Sequence, residues 1–165
     1  MFNFVIAFVA GFIVKIVDFF EDDLKSSDPL KYALAVVYGV LIGYVIGNAS
    51  FSIIFIAALL AQVLARKIDT TAHRIGFAVS IITALFFQVP AIDIYLLGYF
   101  MVLAFLDEIK YVGKLRVLTK YRPFLKIGVL PMIFIGRWDY AAGILIFDLG
   151  YEAFNLIQYK IKHRR

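Results

Sequence analysis

The feature that most constrains this chain is a series of long apolar runs with no charge in them. YALAVVYGVLIGYVIGN and FSIIFIAALLAQVLA each hold 15 or more uncharged residues in sequence, close to the length a bilayer requires. A soluble domain of 165 residues has too little interior to hide a composition that is 63% hydrophobic and only 18% charged. Aromatic residues make up 17%, with Phe inside the runs and Tyr often near their ends, as lipid contact and interfacial belts favour. The expected fold is an all-α polytopic membrane helix bundle, a multi-pass protein of the cell membrane. MFNFVIAFVAGFIVKIV lacks a basic leader and a small-residue cleavage site, so it reads as a first spanning helix and not as a removable signal.

The net charge is +5. In a membrane chain this points to loops facing an anionic leaflet and not to nucleic acid. The absence of cysteine excludes disulfides, thiolate catalysis and cysteine-ligated metal sites.

Turn and cap signals divide the chain. Ser27 or Asp28 before Pro29 predicts a helix start, Gly47-Asn48 a turn, Thr70 or Thr71 a cap, and Val89-Pro90 a stop. Asp93 and Asp139 stand as caps of the helices that follow them. The expected spans are about 2–20, 29–47, 50–66, 72–88, 93–106, 124–136 and 139–159, seven in all. The sixth is short and carries Pro131. The stretch DEIKYVGKLRVLTKYRPFLK alternates apolar and basic residues and is expected to lie along the membrane surface. With the N-terminus outside and the C-terminus inside, 15 of the 17 Lys and Arg fall at inner positions, the exceptions being Lys15 and Arg137. VAGFIVKIVD aligns onto LAQVLARKID without gaps, a weak internal repeat of the kind found in transporters.

Four acidic positions recur at the ends of apolar segments, each with a polar residue one turn on: Asp18/Asp22, Asp69/His73, Asp107/Lys110 and Asp148/Glu152. At about 1.5 Å per residue, Asp18, Asp69 and Asp107 fall roughly 24, 28 and 21 Å along their helices, near one level at the inner interface. Asp18 and Asp107 sit at helix C-termini, which the dipole disfavours unless a cation is near or the helix continues. Asp148 falls about 13 Å down its helix, near mid-bilayer, where an acid costs at least about 2.5–3.5 kcal/mol. His73 is placed to be a base oriented by Asp69 one turn away. Gln62, Arg66, Asp69 and His73 would share a face if one helix ran unbroken through them.

Carboxylates at one membrane level, ringed by bases, suit a divalent metal such as Mg²⁺ that holds a phosphate. Asp18, Asp22, Asp69 and Asp107 are the expected metal ligands. Lys114, Arg116, Lys120 and Arg122 are the expected phosphate-binding bases, and His73, Asp148 and Glu152 the expected catalytic groups. The pairs Asp18-x-x-x-Asp22 and Asp148-x-x-x-Glu152 are similar to the paired acids of membrane prenyltransferases and CDP-alcohol phosphotransferases. The fuller motifs of both families are missing, and the seventh expected span has no lysine within its membrane core for the Schiff base of a retinal protein. No nucleotide-binding loop, serine-hydrolase elbow or zinc-protease motif is present. Three functions remain: binding or transforming a phosphorylated lipid at the inner face, transport of a cation or proton-coupled solute through Asp148 and Glu152, and a non-catalytic structural or assembly role. A cavity open to one side favours the first, a path through the midplane the second, and a sealed bundle the third.

Overall fold

The computed structural model describes residues 1–24 and 28–162, and it is all-α. Helix α1 covers Phe2–Asp18 and runs on through a π-helical turn at Phe19–Asp23. There follow α2 (Leu30–Asn48), α3 (Ser52–Leu64), α4 (Thr71–Phe86) and α5 (Ile94–Glu108). A surface turn at Gly113–Leu115 leads into α6 (Arg116–Tyr121), then come the short α7 (Pro123–Gly128) and α8 (Leu130–Phe134), and α9 (Trp138–Lys162) closes the chain.

Several starts and stops fall where local chemistry places them. The Asp28 carboxylate accepts the Leu30 N–H at 2.8 Å, opening α2 behind Pro29. Thr70 caps α4 by accepting the His73 N–H, and Asp93 caps α5 by accepting from Tyr95 and Leu96. Ser27 lies outside the described residues. Asp139 is not a cap: it lies inside the first turn of α9 and pairs with Arg137 at 3.3 Å.

The expectation of seven spans is corrected. Three helices are long and apolar enough to cross a membrane, at Phe2–Asp22, Leu30–Asn48 and Trp138–Lys160. Helix α3 has 13 residues, α4 16 and α5 15, or about 20–24 Å against a hydrocarbon core of about 30 Å. The expected sixth span is divided into α7 and α8. The outer faces of the long helices are apolar and exposed, with Phe8 and Val9 on α1, Val36, Val37 and Val40 on α2, and Leu145, Leu149 and Leu156 on α9. Such surface suits lipid and not water.

Two close seams hold the bundle. Gly11 of α1 lies against the Phe147 backbone carbonyl, and Gly150 of α9 lies against that of Phe8, so any side chain at either would strike backbone. On α2, Gly39 and Gly43 meet the carbonyls of Gly76 and Ser80 on α4. Small residues four apart let helix backbones approach, the usual device where water does not drive association. Helix α3 packs mainly on α5.

The end at which α1, α3 and α9 begin is filled with rings. Phe51 is buried and stacks on Phe4 at 5.0 Å, Phe4 stacks on Trp138 at 6.0 Å, and Phe55 meets Phe147 edge-on at 5.4 Å. Arg137 ties the α8–α9 turn to the Ser50 carbonyl at 2.9 Å.

Candidate functional site

At the opposite end the helices border an open cavity of about 1430 Å³. Its inner wall is apolar, with Val14, Ile42, Leu59, Phe77, Phe105 and Phe147, and its outer wall is charged. The cavity draws on the last turns of α1, α3 and α5, the first turns of α4, and the middle of α9. No residue of the Phe4–Phe51–Trp138 cluster lines it.

Asp18 is the hub. Its Oδ1 lies 3.0 Å from His73 Nε2, and its Oδ2 accepts the Tyr151 hydroxyl at 2.6 Å. Lys15, one turn earlier on α1, stands 3.4 Å from the Tyr151 oxygen and over its ring. His73 Nδ1 is 3.0 Å from Thr70 Oγ1, the oxygen that also caps α4. The chain Thr70–His73–Asp18–Tyr151–Lys15 therefore ties α4, α1 and α9 together. It explains how an acid is tolerated at the end of α1: a histidine faces it, and the π-helical turn carries the helix beyond it. His73 lies outside the three long apolar helices, and its hydrogen bond to Asp18 pushes its pKa up, against the opposing effect of burial.

A second group closes the outer rim. Glu108 holds Arg122 at 3.3 Å and Lys67 at 3.9 Å, joining the end of α5 to the loops after α3 and before α7. Asp148 pairs with Lys126 at 2.8 Å, and Lys126 also donates to the Tyr121 carbonyl. Glu152 accepts from Asn155 at 3.0 Å.

Of the expected site residues, Asp18, Asp22, Asp69, His73, Arg122, Asp148 and Glu152 all line this one cavity. Asp107 does not. It is 6% exposed, and its two oxygens accept the backbone N–H groups of Phe124 and Leu125 at 2.9 and 2.8 Å. It is the cap of α7 supplied from a distant helix, which gives an acid at a helix C-terminus its reason and engages both of its oxygens with backbone N–H groups. Among the described residues no group of three or more His, Asp or Glu side chains can hold a metal ion. The shared-metal expectation for Asp18, Asp69 and Asp107 is not supported.

Other placements also differ. The partner of His73 is Asp18 and not Asp69, and neither of its ring nitrogens is left free for a substrate. The face proposed for Gln62, Arg66, Asp69 and His73 is broken, because α3 stops at Leu64 and α4 starts at Thr71. Lys114 and Arg116 are exposed on the surface turn and α6 and do not line the cavity, and the Lys120 side chain lies outside what is described. The bases that do line it include Lys15, Arg66, Lys67, Lys110 and Lys126. Of these, Arg66 and Lys67 stand just before Asp69, and Lys110 stands one turn after Asp107, so their sequence positions signal them. In comparisons with known proteins, no family model, curated protein or solved structure matches the chain.

Proposed function

We propose that this is a multi-pass membrane protein whose cavity takes the headgroup of a phosphorylated lipid or a related phosphorylated amphiphile. The observation that carries the reading is the make-up of the cavity wall. It combines an apolar inner surface with a charged rim on which Arg66 and Lys110 have no acidic partner among the described residues. An amphiphile matches both parts, with acyl or isoprenoid carbon against Phe77, Phe105 and Phe147 and phosphate oxygens toward the bases. A divalent cation such as Mg²⁺ would enter with the ligand, its shell made mostly of phosphate oxygens and water, with a cavity carboxylate such as Asp22 or Asp69 completing it. Transport of a small ion through Asp148 and Glu152 is less well supported, because the ring-filled end lies between the cavity and the opposite surface. A cavity of this size also argues against a purely structural bundle.

By the positive-inside rule the cavity end faces the cytoplasm, with the N-terminus outside and the C-terminus inside. That orientation requires α3, α4 and α5 to pass between the two faces beside the three long helices; with the three long crossings alone, residues 49–137 would lie on the outer side. Cysteines introduced at Asn48, Ala91 and Gly136 should react with an impermeant reagent from outside, and those at Thr71 and Thr119 should not; the reverse pattern would refute it.

The binding reading is tested with detergent-purified protein and two matched pairs, phosphatidic acid against diacylglycerol and farnesyl diphosphate against farnesol. The phosphorylated member of at least one pair should raise the melting temperature saturably, through mass action on the folded state. Equal shifts within both pairs, or none at all, would overturn the reading.

A further inference from the structure

Three non-glycine residues adopt left-handed backbone, Arg66 (φ 54°), Gln88 (φ 61°) and Arg122 (φ 44°), and two of the three are arginines on the wall of the same cavity. Arg66 occupies the position just past the end of α3. Its own N–H bonds the Val63 carbonyl at 3.0 Å, and the next N–H, of Lys67, bonds that of Gln62 at 2.9 Å. This is the paired closure that ends many helices, and at its left-handed position glycine is the usual residue because a Cβ is disfavoured there. Arginine at this position needs a reason outside helix termination.

Its surroundings supply one. The other charges of the cavity are largely spoken for: Asp18 by His73 and Tyr151, Glu108 by Lys67 and Arg122, and Asp148 by Lys126. Arg122, the second left-handed arginine, has its charge offset by Glu108 at 3.3 Å. Arg66 makes no ion pair among the described residues. Asp69, three residues on, lines the same wall without pairing with it. Arg66 also lines a smaller side pocket of about 460 Å³ between the end of α3 and the start of α4, together with Asp69, Arg74 and Phe77. Arg66 is exposed and lines both hollows, and its forked, permanently charged side chain has no carboxylate within ion-pair distance among the described residues. A planar fork of this kind matches phosphoryl oxygens in pairs, which an ammonium group cannot do.

We propose that Arg66 is the phosphoryl-binding residue of the cavity, held in a backbone conformation that glycine would adopt more easily. The inference rests on the phosphorylated-amphiphile reading above and names the residue that recognises the phosphate.

The test compares wild type with Arg66→Gly and Arg66→Lys, measuring melting temperature and the binding of phosphatidic acid and farnesyl diphosphate. Arg66→Gly should melt at or above wild type, since the left-handed position is relieved, yet bind about tenfold or more weakly, as loss of charged hydrogen bonds implies. Arg66→Lys keeps the charge and the backbone strain but loses the fork, and should bind at an intermediate level. Unchanged binding in Arg66→Gly overturns the proposal, and so does a melting temperature clearly below wild type. If wild type fails to prefer either phosphorylated probe over farnesol or diacylglycerol, the cavity reading has failed first, and that result is seen without any variant. Inorganic pyrophosphate separates the sources of the phosphate. Displacement of farnesyl diphosphate by an equal concentration of pyrophosphate would reject a lipid ligand, and displacement only at large excess supports one.

Discussion

Where α1, α3 and α9 begin, Phe4, Phe51 and Phe55 fill the space between the helices, with the exposed Trp138 stacked on Phe4 and the ion pair Arg137–Asp139 at the edge. Where α1, α3 and α5 finish, the same bundle surrounds a cavity lined by acids and bases from five helices and their loops. Phenylalanine rings can fill a space completely because they carry no polar atom that burial would leave unmatched. Charged side chains need partners and water, so they gather where the helices part. The ring-filled end maintains the spacing of the bundle, and the hollow end can then keep polar groups apart without collapsing. The glycine seams run between the two and carry the closest backbone approaches.

The largest effect should come from removing the plug. Phe51 is 1% exposed, stacks on Phe4 and covers Gly143. Phe51→Ala should cost about 3–5 kcal/mol, because the void left among helix backbones can relax only in part. Thermal unfolding in detergent measures this. A loss below about 1 kcal/mol would mean that the rings do not set the helix spacing and that the contrast between the two ends is wrong.

Next come two acids of the hollow end that look alike in sequence. Asp107→Ala strips two backbone N–H groups of their acceptor where water does not reach easily, and should cost about 2–3 kcal/mol. Asp148→Asn touches a partly exposed pair with Lys126 and should stay within about 1 kcal/mol of wild type. Comparable losses from the two would erase the distinction between an acid that holds the scaffold and one that lines the cavity.

These acids also show what could be read in advance. The placing of Asp18 and Asp69 at one end follows from helix rise and from the alternation of apolar runs, both of which are local, whereas Asp148, which the same rise puts near mid-bilayer, joins them in lining the cavity. The partners follow from neither. Asp107 is explained by N–H groups 17 and 18 residues on, and Asp148 by Lys126 on another helix, and neither spacing is a helical one. The span count fails for a related reason. A charge-free run marks the distance between charges and not the length of a helix, and the run ending at Ala65 yields a helix of only 13 residues. Glycines four apart at Gly39, Gly43 and Gly47 are visible in the sequence as a close-approach face, though hydropathy alone passes over them.

The smallest effect concerns the dyad at the centre of the cavity, and its sign is fixed by which form of His73 the fold favours. The Asp18 carboxylate raises the His73 pKa above its ordinary value of about 6.5, outweighing burial. A histidine whose pKa is raised on folding binds its proton more tightly in the folded chain than in the unfolded one. Its contribution is therefore complete below about pH 6.5 and is lost as the pH rises through the higher folded value. The loss is only partial in structural terms. Neutral His73 can still donate from Nε2 to Asp18 while Nδ1 accepts the Thr70 hydroxyl, so the hydrogen bonds survive and only the ionic part disappears. The effect should accordingly remain below about 1 kcal/mol, as for a partly exposed pair. Melting temperatures of wild type and His73→Gln from about pH 6 to pH 9 measure it, since that range brackets the ordinary and the raised value. Wild type should lose stability relative to the variant as the pH climbs. A difference that grows in the opposite direction would mean that the neutral ring is the form the fold selects, and Asp18 would then need its countercharge from Lys15, one turn before it on α1.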